Sequence, residues 1–599
     1  MQKTLKTEVL VVGGSGAGVC AAVEAAKAGR DVLLIAKGKV GRSGNVIMAG
    51  GGFTIDGQSG REYLHDDAAD PSFTRDKMFD CIVKESYYIA DQNIVNQYVE
   101  ESPLAVQEYL GWAEKTKGIC LLRSKPCGWM SSGLHFARVL AEGMRENQQI
   151  RVLEDTALLD VVKRDGRIVG ALALDLYSGE FIEIEASAVV LATGGYQPFT
   201  MKNTVSDMTG DGAAIAYRAG ATLTDMEFML AFPTAVWPQD MKGSIYPFIF
   251  EFFMPSLRYT VRDKTGAALP IPKEISDLTR GTKLSKLASS FYMGSAIDAG
   301  LGGPNGGVFY DYSAFSTQEK EAAFKQFHER FNHFHKDGFY KGESLDRIKR
   351  KILNNEPVEV GLGFEYCMGG IQIDEHMQTG VDGLFAAGEV TSGTFGACRA
   401  GDGLTEMLAQ GYRAGRTAAQ YCAGAPAAAL DRSAIEALEA HYLQFFTNKG
   451  GVNAVELYSR LEHSCDAGFS VIRCEEGLQK TLCDIACIKR DAAGIQLQEK
   501  SRAYNLEWMR AIQAENLLVC CEAGVRAALE RKESRGCHIR KDHPQVDHDH
   551  YLVKYCFRQG ADGMEMFTRK PVVTKAPLPQ GTCESVISYF LDPSLHYSR

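Results

Sequence analysis

The chain has 599 residues, 45% of them hydrophobic and 23% charged, a length that makes about three or four globular domains the expectation. Its net charge of -10 argues against nucleic acid as the main partner, and no apolar run reaches the roughly 18 residues that a membrane span needs. Met1 to Thr7 runs straight into a strand with no room for a signal peptide, so the expected compartment is the cytoplasm and the 16 cysteines read as thiols.

Leu10 to Val12 is an apolar run of the length of a buried parallel strand. Gly13, Gly14, Ser15, Gly16, Ala17 and Gly18 then turn the chain, and Cys20, Ala21, Ala22, Ala25 and Ala26 form a helix slim enough to lie on a sheet. A strand, tight turn and helix of this kind aim backbone N–H groups and a helix N-terminus at one place, which suits a pyrophosphate. A second strand, Asp31 to Ala36, completes the pattern of an ADP-containing cofactor site. Ala36 and Lys37 stand where the carboxylate for an NAD ribose is expected, which weakens NAD against FAD.

Gly38 to Gly52 is a second glycine-rich segment, and its Arg42, Ser43 and Asn45 are donors suited to the edge of a flavin. Asp76 to Glu114 has helical periodicity, with Ser102-Pro103 opening its second half. Leu134 to Arg145 is another amphipathic helix. Val152 to Val162 and Ile168 to Leu174 read as strands about the turn Asp165-Gly166. Val189 to Ala192 is a buried strand ending in Thr193-Gly194-Gly195, and Thr209-Gly210-Asp211-Gly212 opens a helix that stops at Gly220.

From about Glu227 the composition changes. Residues 228 to 259 are rich in Phe, Tyr, Trp and Pro and read as a wall or lid, and a long helix is expected from Gln318 to His335. The strand-and-turn pattern of the first domain returns at Gly383 to Glu389, followed by a tight loop, Arg399 to Gly403, and a helix, Leu404 to Tyr421. One nucleotide domain is thus built from two separated pieces around an insertion. Ala423 to Ala429 is a small-residue linker, residues 430 to 535 read as helices, and 536 to 599 as an irregular tail. Cys465, Cys474, Cys483 and Cys487 match no compact ferredoxin run, so core cysteines are expected there and not a cluster. His543, His548 and His550, mixed with Asp547 and Asp549, read as a solvated loop, and no metal site is expected.

The order of these motifs resembles that of the flavoprotein subunits of fumarate reductase and succinate dehydrogenase, a superfamily that also holds aspartate oxidase and the adenylylsulfate reductase alpha subunit. The segments that carry the resemblance are VVGGSGAG, GRSGNVIMAGGG, LATGGY, TGDGAAIAYRAGA, MEFMLAFPT, EYCMGGIQID, GLFAAGEV, GACRAGDGLTEMLAQGYRAG and ALERKESRG, in family order over residues 8 to 540. The fold class expected is α/β: an interrupted Rossmann-like FAD-binding domain (1–226 and 356–425), an inserted α+β capping domain (227–355), a helical domain (426–535) and the tail (536–599).

The resemblance implies FAD with its pyrophosphate on Gly13, Gly14, Ser15, Gly16, Ala17 and Gly18, and with Lys37, Ala157, Thr193 and Gly194 also at the cofactor. Ser43, Gly44, Asn45, Gly51 and Gly52 would border the isoalloxazine, and Asp211 and Glu389 would bond cofactor hydroxyls. Gly403, Leu404 and Thr405 would open a helix whose positive end faces the pyrimidine. Some relatives attach FAD through a histidine that follows an Arg-Ser pair. Here Arg42-Ser43 is followed by Gly44, so FAD is expected to be non-covalent.

Fumarate reductases of the family clamp a dicarboxylate with histidines, an arginine and a threonine. They pass hydride from flavin N5 to one alkene carbon while an arginine delivers a proton to the other. Arg399 matches the substrate-binding arginine, whose fork suits a carboxylate, and Thr234 matches the threonine. Phe232 replaces one histidine and Glu365, just before Tyr366, replaces the other. Trp237 and its aromatic neighbours add to an apolar pocket. A carboxylate at position 365 repels a substrate carboxylate unless it is protonated or paired. Lys286 falls at the proton-donor position, with Arg280 and Lys283 close by and Tyr292 and Tyr366 as further acids. Cys367 and Cys398 flank this pocket without a reason for a lowered pKa.

The expected function is FAD-dependent reduction of an activated C=C bond in an unsaturated carboxylate or related carbonyl compound other than fumarate. The sequence has no second glycine motif for NAD(P)H and no cluster motif, so a separate iron–sulfur or ferredoxin-like electron donor is expected. The alternatives are a dehydrogenase or oxidase running in the other direction, an adenylylsulfate-reductase-like flavoprotein and a non-catalytic electron-transfer flavoprotein.

Overall fold

In a computed structural model of the chain the residues described are 3–124, 126–279, 284–334, 343–399, 401–426 and 428–591. The main sheet runs in the order Arg151–Leu153, Val32–Ile35, Lys3–Val12, Phe181–Leu191, Arg167–Asp175 and Thr156–Arg164. Val9 to Val12 pair in parallel with Val32 to Ile35 on one side and with Ala188 to Leu191 on the other. Leu10, Val11, Leu33 and Leu34 are buried, as parallel strands covered on both faces require. Leu384–Ala386 joins the same sheet in parallel, with Leu384 opposite Val189. The sheet is therefore completed by a segment that lies far along the chain from the strand it pairs with.

Two helices lie together on this sheet, Gly16–Lys27 and Gly403–Gly424. A Cβ added at Gly411 would fall 2.4 Å from the Ala17 carbonyl oxygen, and one at Gly415 would fall 2.3 Å from that of Ala21. The bare glycines let the two backbones touch, which sets the start of Gly16–Lys27 against the stretch of Gly403–Gly424 around Gly411 and Gly415.

The insertion has its own antiparallel sheet, ordered Met229–Ala235, Val358–Cys367, Val308–Asp311 and Thr260–Arg262. Its core includes Tyr246, Phe250, Phe324, Phe327, Val308 and Val360. The aromatic stretch expected to form a wall is thus largely the interior of this unit. Among the described residues, Phe232 and Ile245 are its members that reach the cavity described below.

Two further expectations are corrected. The break in Asp76 to Glu114 falls between helices Arg75–Glu85 and Gln92–Lys115, and Pro103 sits inside the second helix. A proline there forfeits one backbone bond, and the buried neighbours Ser102, Val106 and Tyr109 hold the helix together regardless. The tail is not irregular. Lys554–Gly560 and Gly563–Arg569 form an antiparallel hairpin that pairs with Leu223–Thr224. Lys554 is fully buried and lies 2.7 Å from both Asp91 and Asp225, while Arg569 lies 2.6 Å from Asp91. Burying that ammonium is tolerable because two carboxylates compensate it.

Residues 432–530 carry the helices Arg432–Thr447, Ala454–Gly468, Glu475–Ala492 and Leu506–Glu530, the last packed against Asp211–Ala219. Among the described residues no helix is long and apolar enough to cross a membrane.

Candidate active site

A cavity of about 1040 Å³ opens at the starts of the two paired helices and extends to the sheet of the insertion. At its first turn Gly13 has φ +122°, and a Cβ on Gly18 would fall 1.8 Å from the Gly13 carbonyl oxygen. Only residues without side chains close such a turn. Ser15 precedes helix Gly16–Lys27 without a side-chain cap, and Asp402 precedes helix Gly403–Gly424 in the same way. Two helix starts whose backbone N–H groups lack a capping side chain thus face one elongated cavity. That is a fit for a dinucleotide, with a pyrophosphate at one end and an electron-rich ring at the other.

Of the residues expected at the cofactor, Gly13, Gly14, Ser15, Ala17, Lys37, Ser43, Gly44, Asn45, Gly51, Gly52, Ala157, Thr193, Gly194, Asp211, Glu389, Gly403 and Leu404 line the cavity. Gly16, Gly18 and Thr405 lie behind the lining. A Cβ on Gly16 would meet the Met407 thioether. The Thr405 hydroxyl accepts from the Thr54 amide at 3.0 Å and so pins the helix start to strand Gly52–Ile55.

Two acidic groups meet the cavity in opposite states. Asp211 accepts from Lys37 at 2.8 Å and from Thr209 and Asn516 at 3.0 Å each. Burial works to raise its pKa, but Lys37 and these bonds prevail and lower it. Glu389 accepts from the Cys367 amide at 3.1 Å and from Asn45 Nδ2 at 3.2 Å, with no cation bonded to it among the described residues, and burial pushes it up to about 7.

At the far end the strand Val358–Cys367 slips in register against Met229–Ala235: Leu230 faces Tyr366 and Ala231 faces Phe364. Glu365 is the unmatched residue between them. Such an irregularity re-aims a side chain, and Glu365 lines the cavity. Its carboxylate accepts from Arg399 Nη2 at 3.0 and 3.1 Å and from Lys286 Nζ at 2.6 Å. Burial works to raise the Glu365 pKa, but the two cations outweigh it and hold the group below the usual carboxylate range. The carboxylate expected to repel a substrate unless paired is therefore paired twice.

Lys286 is only 6% exposed, so it is not on a solvated basic face, and its ammonium lies 4.6 Å from the centre of the Phe232 ring. The Arg399 guanidinium lies 4.6 Å from the centre of the Tyr366 ring. Tyr366 donates its hydroxyl to Glu406, whose carboxyl burial pushes up to about 7. Asp402 and Glu406 lie within the segment GACRAGDGLTEMLAQGYRAG, but nothing in its pattern singles them out, and Asn516 lies in no motif. Glu406 is found only because the helix turns it beneath Tyr366.

Thr234 and Trp237 do not join this lining. The Thr234 hydroxyl donates to the Phe232 carbonyl at 2.9 Å, within its own strand, and Trp237 packs against the core of the insertion with the Lys351 ammonium 4.5 Å from its ring. Tyr292 also lies away from the cavity, edge-on to Phe291. Arg280 and Lys283 fall outside the described residues. Burial raises the Cys367 thiol pKa, and contact with Cys537 together with burial raises that of Cys398. Cys465 is buried beside Cys521, while Cys483 and Cys487 are exposed on a helix, so these cysteines do not converge. His548 is buried, and its pKa is lowered by burial and by Arg535 to about 4.

The fold and the cavity define an FAD-dependent oxidoreductase, and comparison with known proteins agrees. Residues 8–405 match the FAD binding domain family and residues 458–582 match the fumarate reductase flavoprotein C-terminal family. The chain belongs to the fumarate reductase flavoprotein family, with FAD as its cofactor. An uncharacterised FAD-dependent oxidoreductase of Methanocaldococcus jannaschii is 28% identical, covering 90% of this chain and 94% of its own. One of the subunits of the fumarate reductase (CoM/CoB) of Methanothermobacter marburgensis is 26% identical over 90% of this chain and 95% of its own. Among solved structures, a Mycobacterium smegmatis Sdh1 complex is 26% identical with a TM-score of 0.78, covering 96% of each chain.

Proposed function

We propose that the protein reduces the C=C bond of an unsaturated carboxylate other than fumarate, on electrons from a separate iron–sulfur or ferredoxin-like protein. The observation that carries this reading is Arg399: a half-buried, cationic fork that lines the cavity between the start of helix Gly403–Gly424 and Glu365. Bound FAD supplies the hydride. Arg399 binds the substrate carboxylate and draws charge toward it, which polarises the conjugated alkene. Lys286 Nζ, held 2.6 Å from Glu365, supplies the proton for the second alkene carbon. Tyr366 is set aside as the acid, because its hydroxyl is engaged by Glu406. Phe232 and Ile245 keep water from the alkene. The relatives named as subunits of fumarate reductases support a partner protein as the electron donor.

The test is anaerobic. The purified flavoprotein is reduced with dithionite and mixed with a panel of unsaturated acids. Reoxidation by an enoate, abolished in Arg399→Ala with FAD retained, is the expected result. Failure of every organic acceptor, with fast exchange to a ferredoxin, would make the chain an electron carrier. Rapid reduction by NADH alone would overturn the separate donor.

A further inference from the structure

Among the described residues, Arg399, Lys286 and Glu365 meet through their charged groups at the substrate end of the cavity. Asp402 lines the same end, but it lies at the positive start of helix Gly403–Gly424, which offsets its charge. Glu365 occupies the guanidinium through Nη2 alone and takes the Lys286 ammonium as well. Among the described residues, Nη1 and Nε of Arg399 donate to no protein group. One edge of the fork therefore stays open while the other cationic place is filled from within the chain. Among the described residues the same lining also holds the apolar side chains of Phe232, Ile245, Met130 and Met48.

We propose that Glu365 is a built-in carboxylate that fills one of two anion places, so that the substrate is an enoate with a single carboxylate and an apolar remainder. This deepens the reductase reading above and rests on it for the word enoate. The irregularity that leaves Glu365 unmatched between Phe364 and Tyr366 is what carries its side chain into the clamp. A second substrate carboxylate would have to displace Glu365 or lie against it, and like charges brought together in a desolvated site are strongly disfavoured. Glu365 thereby sets specificity without touching the reacting carbons.

Crotonate and fumarate are a matched pair for the test, since a methyl in one stands where the other has its second carboxylate. Binding to the oxidised holoenzyme is read from the change in flavin absorbance. The wild-type protein is expected to bind crotonate at least about tenfold more tightly than fumarate, given the cost of juxtaposing like charges. Glu365→Gln is expected to shift that ratio toward fumarate by about tenfold or more, and Glu365→Asp, which keeps the charge, is expected to preserve it. Fumarate binding as tightly as crotonate in the wild-type protein would overturn the assignment, and so would an unchanged ratio in Glu365→Gln with FAD retained. The wild-type comparison and Glu365→Asp decide the matter even if Glu365→Gln fails to fold. Reoxidation of the reduced protein is read separately. Selective crotonate binding without reoxidation would remove the reductase reading and leave the single-carboxylate assignment standing.

Discussion

Arg399 is worth more to this site than its charge. A guanidinium can give one edge to Glu365 and keep another for a ligand, whereas an ammonium offers no planar fork. Arg399→Lys is therefore expected to retain FAD, seen as an unchanged visible spectrum, and to lower the rate of enoate-driven reoxidation by roughly a hundredfold. Glu406 gives a second prediction. Its pKa is near 7 in the folded protein and 4.5 as a free side chain, so the fold favours the protonated form. The stability this provides is fully present below about pH 4.5 and is lost as pH rises through 7, an effect of about 3 kcal/mol. Urea midpoints at pH 5 and pH 8 check it: the wild-type protein should lose stability between them, and Glu406→Gln should lose measurably less. At this scale the sequence is only partly legible. Arg399, Lys286 and Glu365 are marked by motif position, but their mutual pairing depends on a local register slip that no spacing announces. Thr234 matches by position too, yet its hydroxyl donates to the Phe232 carbonyl and accepts from Asn203, and it does not line the cavity.

Among the elements, the first turn is the most legible, because close backbone approach leaves a glycine signature. Gly18→Ala places a methyl against the Gly13 carbonyl, at 1.8 Å before relaxation. The expected outcome is a folded but nearly colourless protein, with FAD occupancy, read as the ratio of visible to ultraviolet absorbance, reduced by about tenfold or more. The aromatic stretch after Glu227 is the least legible. Composition separates apolar from polar residues and does not separate a pocket wall from a core, so Tyr246 and Phe250 enter the interior of the insertion while Phe232 alone of the described ring-bearing residues there reaches the cavity. Pro103 misleads for a related reason: propensity is local, and burial of the surrounding helix overrides it.

Across the whole molecule, the C-terminal hairpin is tied back to the helix beginning at Gln92 through one buried carboxylate. Asp91 serves Lys554, Arg569 and the Val572 amide together. Burial works against its charge, but Lys554 and Arg569 prevail and hold its pKa at about 2. That contribution is present above about pH 4 and is lost as pH falls through 2, and it amounts to about 2 kcal/mol. Asp91→Asn leaves a buried ammonium short of a partner, and a loss of about 3–5 kcal/mol in unfolding free energy is expected from denaturant titration. Such pairings join residues hundreds of positions apart, which is why the tail reads as irregular in the sequence and ordered in the fold. The interrupted sheet is legible across the same distance, because its returning strand repeats the turn pattern of the first.

Anaerobic mixing of the dithionite-reduced flavoprotein with crotonate, followed at the flavin absorbance, decides whether Arg399 directs the chemistry. Reoxidation is expected in the wild-type protein and none in an Arg399→Ala variant that still holds FAD. Equal reoxidation in both would contradict that role of Arg399.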